Sequence, residues 1–376
     1  MENTELDHLS ALLTKARSAE EVFGHLAGTW AEMFEAARGA FRHMAKALHP
    51  DRYQRASEVE RADAAFKQLM RFWEQACVSI ENGTYGVSAD RFTPFTMRTR
   101  KALYTIERLI AYGDLCAVYA GNTARADGQR SVLLKVPLKP ENNDLVTNEA
   151  RILKRLRASK EYEKLRHFVA QLVDTFSYQE EASGMVRQVN VLAYTEGLFS
   201  LKEVHAAYTQ GVDARDMAWI WRRLLVALGL AHANTVLHGA VLPTHVLIHP
   251  QQHGVVLIDW SYAVLDPDET GERISAISSA YRDWYPPEIF ARKTPTPGLD
   301  IAMAARCMID LLGGDPQQCT LPETVPWQIQ NHLKGCTLAA LQMRSQDVQL
   351  VLNEFDALIE RLWGPRVFRE FPMPKR

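Results

Sequence analysis

The residues best suited to chemistry begin with a lysine in an apolar run and a glutamate on the amphipathic segment that follows it. Lys135 lies in SVLLKVPL, a composition that is typical of a buried strand. Glu149 precedes Ile152 and Leu153 by three and four residues, so a helix would turn its carboxylate inward, where it needs a partner. We predict that Lys135 is that partner. The alternative is a lysine at a strand edge and a glutamate at the surface.

A histidine and an aspartate further along the chain have the side chains of metal ligands. Imidazole and carboxylate both bind divalent ions, so His245 and Asp259 could hold one between them. Further histidines lie nearby and raise the alternative of zinc, but their spacings match no common zinc site. We therefore expect core or loop roles for the other histidines of this region, which are His232, His238, His249 and His253.

A third group, His49-Pro50-Asp51, is suited to recognition rather than to bond breaking. Pro50 ends the helix before it and restricts the loop. Asp51, together with the basic side chains of Arg42 and Lys46, offers charge complementarity to a partner, and His49 adds a polar donor. The alternative is that the tripeptide only caps one helix and turns the chain.

The elements around this tripeptide are predicted to be two long amphipathic helices. Apolar residues recur at helical spacing from Trp30 to Leu48 and again from Val59 to Ile80. Two such helices joined by a short loop make an antiparallel hairpin. Glycine and proline interrupt the pattern after it, so we assign residues 1–85 to an all-α module and 86–100 to a linker.

The remainder of the chain has a different sequence pattern. Two β-like runs flank Gly113, and a tight turn at 126–128 precedes the strand that contains Lys135. Past Gly211 the pattern is mostly helical again, interrupted by the short strands HVLIH and GVVLIDW. We predict an α+β bilobal domain over 101–376, with a small β-rich lobe at about 101–196 and a large α-rich lobe at about 197–376.

The N-terminal module resembles the J-domain of DnaJ-like co-chaperones. In that family a Y-R-x-L-A-like stretch leads into His-Pro-Asp, and here FRHMA occupies its place before His49. The region upstream departs from the family, because its usual first helix with a tyrosine and a Leu-Gly element is not evident. The resemblance implies docking to a DnaK-type chaperone and stimulation of its ATPase through the residues His49, Pro50, Asp51, Arg42 and Lys46.

The second domain resembles a protein kinase. Kinases place a glycine loop over the phosphates, a lysine on the third strand, a glutamate on the next helix and a magnesium-binding aspartate further on. AYGDLCAVY is similar to the glycine loop, although only its middle glycine is present. The resemblance allows ATP and Mg²⁺ as cofactors, with Gly113, Val118, Lys135, Glu149 and Asp259 at the nucleotide and with Asp259 and His245 at the metal.

The segment that resembles the kinase catalytic loop lacks its chemistry. In HANTVLHGAVLPTHVLI, His238 matches the family histidine, Ala240 falls on the catalytic aspartate and Leu242 on the catalytic lysine. A methyl group cannot accept a proton, and loss of a general base typically costs ~100- to 10,000-fold in rate. We therefore assign no catalytic residue. If the domain were active, it would be a Ser/Thr-kinase-like phosphotransferase.

Further positions resemble structural parts of the kinase large lobe. Glu288, in YPPE, is similar to the glutamate of the A-P-E element, and Arg344 falls where kinases place its arginine partner. We predict a structural Glu288–Arg344 ion pair. Asp300 resembles the aspartate that opens the central helix of that lobe, and His238 is likewise given a structural role.

The same residues also echo aminoglycoside and choline phosphotransferases, which carry HGD followed by IDW or IDF. Those enzymes share the kinase fold but generally lack the A-P-E element, so Glu288 and Arg344 favour the protein-kinase side. The catalytic aspartate is missing under both interpretations.

The overall composition limits which binding partners and which cellular compartment are expected. The formal net charge is −2, which favours neither nucleic acid nor an anionic membrane as a partner. The five cysteines are odd in number and form no C-x-x-C pair, so a reducing, cytoplasmic location without disulfides is expected. The first residues are acidic and do not resemble a secretory signal, and no apolar run is long enough to cross a bilayer.

Three functions are compatible with these patterns. The first is a J-domain co-chaperone or adaptor whose kinase-like domain is catalytically impaired and binds nucleotide, a client or a regulatory protein. The second is a weak or atypical ATP-dependent kinase or phosphotransferase, with His245 or another residue replacing the base. The third is an interaction scaffold that binds no nucleotide.

Overall fold

The computed structural model describes residues 3–26, 30–81, 85–86, 94–112, 115–125, 128–179, 184–278 and 281–374. The chain divides into two units: the first contains Met1–Phe95 with Glu107–Ala117, and the second contains Thr96–Ile106 with Val118–Arg376. Gly113, the turn residues 126–127 and residues 87–93 of the predicted linker lie outside the described residues.

The N-terminal region is helical, as predicted. Its helices are α1 (Asn3–Lys15), α2 (Ala19–Phe23), α3 (Trp30–Leu48) and α4 (Ala56–Glu81). The two apolar stripes of the sequence coincide with α3 and α4, because residues three and four apart share one face of a helix. That face is buried in a core that includes Met44, Leu48, Leu69 and Phe72.

The connection between α3 and α4 is a single 3₁₀ turn, Pro50–Arg52. Two of the last carbonyls of α3 receive hydrogen bonds from this loop: Arg52 Nη1 donates to Lys46 O at 3.1 Å and the Tyr53 hydroxyl donates to Ala47 O at 2.6 Å. Helix ends leave such carbonyls without intrahelical partners. The loop therefore holds its own conformation against the end of α3.

The strands that follow form a six-stranded sheet in the order β1-β2-β3-β4-β6-β5. Their bounds are β1 Phe95–Arg98, β2 Leu103–Tyr112, β3 Cys116–Arg125, β4 Gly128–Pro137, β5 Leu172–Gln179 and β6 Val186–Ala193. Strand β1 occupies residues that the sequence assigns to the linker. Helices α5 (Asn143–Arg157) and α6 (Tyr162–Leu165) lie between β4 and β5 in the chain.

The rest of the chain is mainly helical. Its helices are α7 Leu201–Ala207, α8 Ala214–His232, α9 Pro267–Thr270, α10 Pro287–Phe290, α11 Pro297–Leu311, α12 Trp327–Cys336 and α13 Val348–Trp363. Short strands interrupt them: β7 Phe199–Ser200, β8 Val236–Leu237, β9 Val246–His249, β10 Gly254–Leu257 and β11 Val264–Leu265. Helix α11 is buried over most of its length and forms the centre of this part.

The coarse prediction of the fold is therefore confirmed: a helical N-terminal region precedes a β-rich sheet and then a set of helices, which is compatible with a bilobal α+β fold. Within the described part of the chain, no helix combines the length and the apolar character needed to span a bilayer.

Candidate functional site

The sequence-predicted lysine and carboxylates meet in the second unit. Strand β4 presents Lys135, whose Nζ donates to Glu149 Oε1 at 3.1 Å, to Asp259 Oδ1 at 2.6 Å and to Ser261 Oγ at 2.8 Å. The expected Lys135–Glu149 pair is thus present, and Asp259 joins it. An ammonium group has three N–H donors. Side chains of the protein itself engage all three.

Glu149 is held from several sides. It lies on α5, is fully buried, and accepts hydrogen bonds from Asn190 Nδ2 at 3.0 Å and from the Trp260 amide at 3.2 Å. Asn190 stands opposite Lys135 in the antiparallel pairing of β4 and β6, so the sheet register itself brings the amide to the site. Together with Lys135, these donors engage both oxygens of the Glu149 carboxylate and fix its position in the site.

Asp259 is placed by an unusual backbone conformation. It follows β10 and has φ 60° and ψ 67°, in the left-handed region that Asp tolerates better than most residues. Burial opposes ionisation of its carboxyl, but Lys135 and then His245 outweigh this effect and hold the pKa of Asp259 far below its usual range. The site therefore carries a charged aspartate next to a charged lysine.

His245 is fixed by a carbonyl on one side and a carboxylate on the other. Its Nδ1 lies 2.8 Å from Ala240 O and its Nε2 lies 3.5 Å from Asp259 Oδ2. A carbonyl oxygen can only accept, so Nδ1 carries the hydrogen in this contact. Nε2 is then the atom that faces Asp259, and the ring pairs with it as a cation when protonated.

These residues do not fit a magnesium nucleotide as they stand. Mg²⁺ prefers oxygen ligands in an octahedral set, whereas here both oxygens of Asp259 already face Lys135 and His245. Nowhere in the described ranges do three or more His, Cys, Asp or Glu side chains come together as a metal site. Of the two glycine-loop positions, Val118 is half-buried on β3 and Gly113 falls outside the description.

The loop at residues 238–242, which from the sequence is expected to resemble a kinase catalytic loop, is closed to solvent. Ala240 and Leu242 are both fully buried. Gly239 has φ +74°, and a Cβ at this position would lie 2.4 Å from Ile274 Cδ1 and 3.0 Å from Tyr262 O. The two positions where the resemblance places an aspartate and a lysine are thus apolar and buried, and the neighbouring Gly239 lies against Ile274.

Two buried residues, His238 and Asp300, hold this loop in place through hydrogen bonds. Asp300, on α11, accepts hydrogen bonds at 2.8 Å from the amides of both His238 and Gly239 and contacts His232 Nε2 at 2.9 Å. Burial opposes ionisation of Asp300, but its partners lower its pKa, with the hydrogen bond from His232 contributing most. Burial lowers the pKa of His238 to about 4, so this histidine is neutral. Both residues are structural in this geometry.

The predicted ion pair between Glu288 and Arg344 is present, and both side chains are buried. Arg344 also donates to Gly298 O at 3.5 Å. The pair joins α10 to the start of α11 and to the chain before α13. Its role is to hold the helices of the second unit together.

In the first unit, the His-Pro-Asp loop is open to solvent. The side chain of Asp51 is 89% exposed, and its neighbour within reach is His49 Nδ1 at 3.6 Å. Arg42 and Lys46, on the preceding helix, are also exposed. The loop therefore presents an acidic group beside a basic helix face, on a backbone that its own hydrogen bonds hold in place.

Two members of the Lys135 site were not identified from the sequence. Ser261 lies two residues after Asp259, and its hydroxyl completes the contacts of Lys135. Asn190 is a polar residue in the apolar run VNVLA. A polar side chain inside a buried strand must find a partner, and this rule could have drawn attention to Asn190.

A comparison of the chain with models of known protein families finds no match.

Proposed function

We propose that this protein is a co-chaperone adaptor, in which the N-terminal unit is a J-domain-like module that docks a DnaK-type chaperone and the second unit is kinase-like but does not transfer phosphate. The observation that carries the proposal is the state of the kinase-like site. The three N–H donors of Lys135 bind Glu149, Asp259 and Ser261. The position expected for the proton acceptor is occupied by a buried alanine, Ala240.

The exposed His-Pro-Asp loop supports the chaperone half of the proposal. A docking group must reach its partner without first breaking internal contacts. Asp51 and the basic residues Arg42 and Lys46 satisfy that condition, since all are exposed. By contrast, Lys135, Glu149 and Asp259 of the kinase-like site are paired with one another. In this proposal the first unit recruits the chaperone, and the second unit engages a client or a regulatory protein.

We predict that the intact chain stimulates ATP hydrolysis by a DnaK-type chaperone and that Asp51→Asn abolishes this stimulation. The substitution keeps the size of an almost fully exposed side chain and removes only its charge. Steady-state ATP turnover by the purified chaperone, measured with and without the chain, reports the effect. Glu60→Gln is the matched control, because it neutralises another exposed carboxylate of the same unit. Equal stimulation by wild type and Asp51→Asn contradicts the chaperone role.

A second candidate is an interaction scaffold that binds no nucleotide. The specific observation in its favour is the saturation of Lys135: a phosphate could gain a hydrogen bond from this ammonium only if a contact to a carboxylate or to Ser261 were lost first. The proposed base for a residual phosphotransferase, His245, is likewise engaged through both ring nitrogens.

For that candidate we expect no rise in the thermal unfolding midpoint of the chain in millimolar ATP and Mg²⁺. A ligand present at 100 times its dissociation constant would add about 2.7 kcal/mol to the free energy of unfolding, which a thermal melt detects readily. A midpoint that rises with ATP in the wild type but not in Asp259→Asn would contradict the scaffold and leave the adaptor with a bound nucleotide.

A further inference from the structure

A basic cleft in the second unit is not used by either proposed function. It has a volume of about 390 Å³ and lies between the segment after α9 and the turn after α10. The residues that line it are Arg273, Ile274, Ser275, Ile289, Arg292 and Lys293. Three of the six carry a positive charge, and Ser275 adds an exposed hydroxyl group.

Within the described ranges, the three cations of this basic cleft have no acidic partner. Among the residues that the structure describes, no carboxylate lies within ion-pair distance of Arg273, Arg292 or Lys293. Of the carboxylates near these cations in sequence, Glu272 pairs with Arg151 at 3.2 Å, Glu288 pairs with the buried Arg344, and Asp268 and Glu269 are exposed on α9. Like charges that share a cleft repel, and an anion bound between them removes that repulsion.

The backbone that carries these cations is held in place. Arg292 has φ 52°, and the turn is closed by hydrogen bonds from the Arg292 amide to Ile289 O and from the Lys293 amide to Glu288 O, both at 3.0 Å. Across the cleft, Arg273 Nη1 donates to Thr294 Oγ1 at 2.6 Å, which orients its guanidinium. Preorganised donors lose less conformational entropy when a ligand binds.

Two of the residues that line the basic cleft are apolar. Ile274 and Ile289 are both half-buried, and Ile274 packs beside the closed loop at Gly239. A small inorganic anion would use the cations and leave this apolar surface in water. A peptide that alternates acidic and aliphatic side chains would satisfy both parts, because its carboxylates would meet the cations while an aliphatic group covers the two isoleucines.

We propose that this basic cleft binds an acidic segment of a partner protein, with carboxylates at Arg273, Arg292 and Lys293 and an aliphatic side chain over Ile274 and Ile289. The inference requires neither nucleotide at Lys135 nor a chaperone at Asp51. It assigns the second unit a peptide-binding surface and the chemistry of its ligand. The site is electrostatic and exposed, so its affinity is expected to fall as ionic strength rises.

The test is a titration of the intact chain into a fluorescein-labelled peptide of alternating glutamate and leucine, followed by fluorescence anisotropy. We expect saturable binding that weakens on the order of tenfold or more in Arg292→Glu/Lys293→Glu, because like charges then face the peptide. Lys160→Glu/Arg361→Glu is the matched control, since it makes the same change of net charge at exposed residues outside the cleft. The control is expected to bind as the wild type does.

Three results would overturn the proposal. The first is the absence of saturable binding by the wild type. The second is equal weakening in the cleft and control variants, which would indicate a general effect of charge. The third is displacement of the peptide by inorganic phosphate together with equal affinity for a peptide in which serine replaces leucine, which would indicate a small-anion site. Urea unfolding of each variant confirms that these exposed substitutions leave the fold intact.

Discussion

Replacement of Lys135 by methionine is expected to lower the free energy of unfolding of the second unit by about 3–5 kcal/mol. The side chain is 7% exposed and stands between Glu149, which is fully buried, and Asp259. Its removal leaves two carboxylates close together with no cation between them. Breaking a buried ion pair costs this much because the desolvated charge that remains has no compensation.

Urea unfolding of the intact chain, with hydrogen exchange of peptides from α5 and β4 to locate the effect, measures this loss. Lys154→Met is the matched control, because Lys154 is exposed on α5 and its replacement should change stability by no more than about 0.5 kcal/mol. The triple variant Lys135→Met/Glu149→Gln/Asp259→Asn should regain part of the loss, since it removes the unpaired charges as well. A Lys135→Met variant as stable as Lys154→Met would mean that Lys135, Glu149 and Asp259 do not form the charge cluster described above.

Acidification is expected to destabilise the second unit strongly between about pH 6.5 and about pH 4. Burial lowers the pKa of His238 to about 4, and burial likewise lowers the pKa of His332 to about 4. In the unfolded chain both rings titrate near 6.5. Between these values the unfolded state binds more protons than the native state, so stability falls as the pH falls. Each histidine contributes at most about 3 kcal/mol to this loss.

The hydrogen bonds of the His238 and His332 rings explain why acidification destabilises the native state. Trp221 Nε1 donates to His332 Nε2 at 3.2 Å and the Ala240 amide donates to His238 Nδ1 at 3.3 Å, so each ring needs an unprotonated nitrogen. His205 acts in the opposite sense, because its hydrogen bond to Asp310 raises its pKa and its contribution to stability is greatest at low pH. Asp259, with its lowered pKa, loses its contribution only as the pH falls below the ordinary aspartate value.

Urea unfolding at several pH values in this range gives the free energy of unfolding as a function of pH. We expect His332→Asn to reduce the slope of this dependence, since an amide oxygen can still accept from Trp221 but does not titrate. His167→Asn is the control, because His167 is exposed. A stability that is unchanged between about pH 6.5 and about pH 4.5, or a slope that His167→Asn reduces equally, would contradict the assignment of buried neutral histidines.

The sequence predicts the helices of the first unit well because their apolar residues repeat at helical spacing over many turns. Helix α3 begins at Trp30 and ends at Leu48, the two ends of the apolar stripe, and Pro50 explains why it ends there. Strand β1 was not predicted, since its four residues FTMR follow a proline in a segment with several glycines. A short edge strand of this kind is determined by pairing with its neighbour rather than by its own pattern.

The candidate site could be predicted only in part. Lys135 and Glu149 are close in the chain, and the inward position of Glu149 follows from helical spacing. The contacts of Lys135 with Asp259 and Ser261 join residues far apart in the sequence and depend on the left-handed backbone at Asp259. The engagement of all three N–H donors of Lys135, on which the proposed function mainly depends, could therefore not be predicted from spacing alone.

The most direct test of the account is transfer of radiolabelled phosphate from ATP to the chain itself or to added protein acceptors. We predict that the wild type transfers no more label than Asp259→Asn, because Ala240 offers no proton acceptor and Lys135 is engaged by Glu149, Asp259 and Ser261. Label transfer by the wild type that Asp259→Asn abolishes would show a working phosphotransferase and would contradict it.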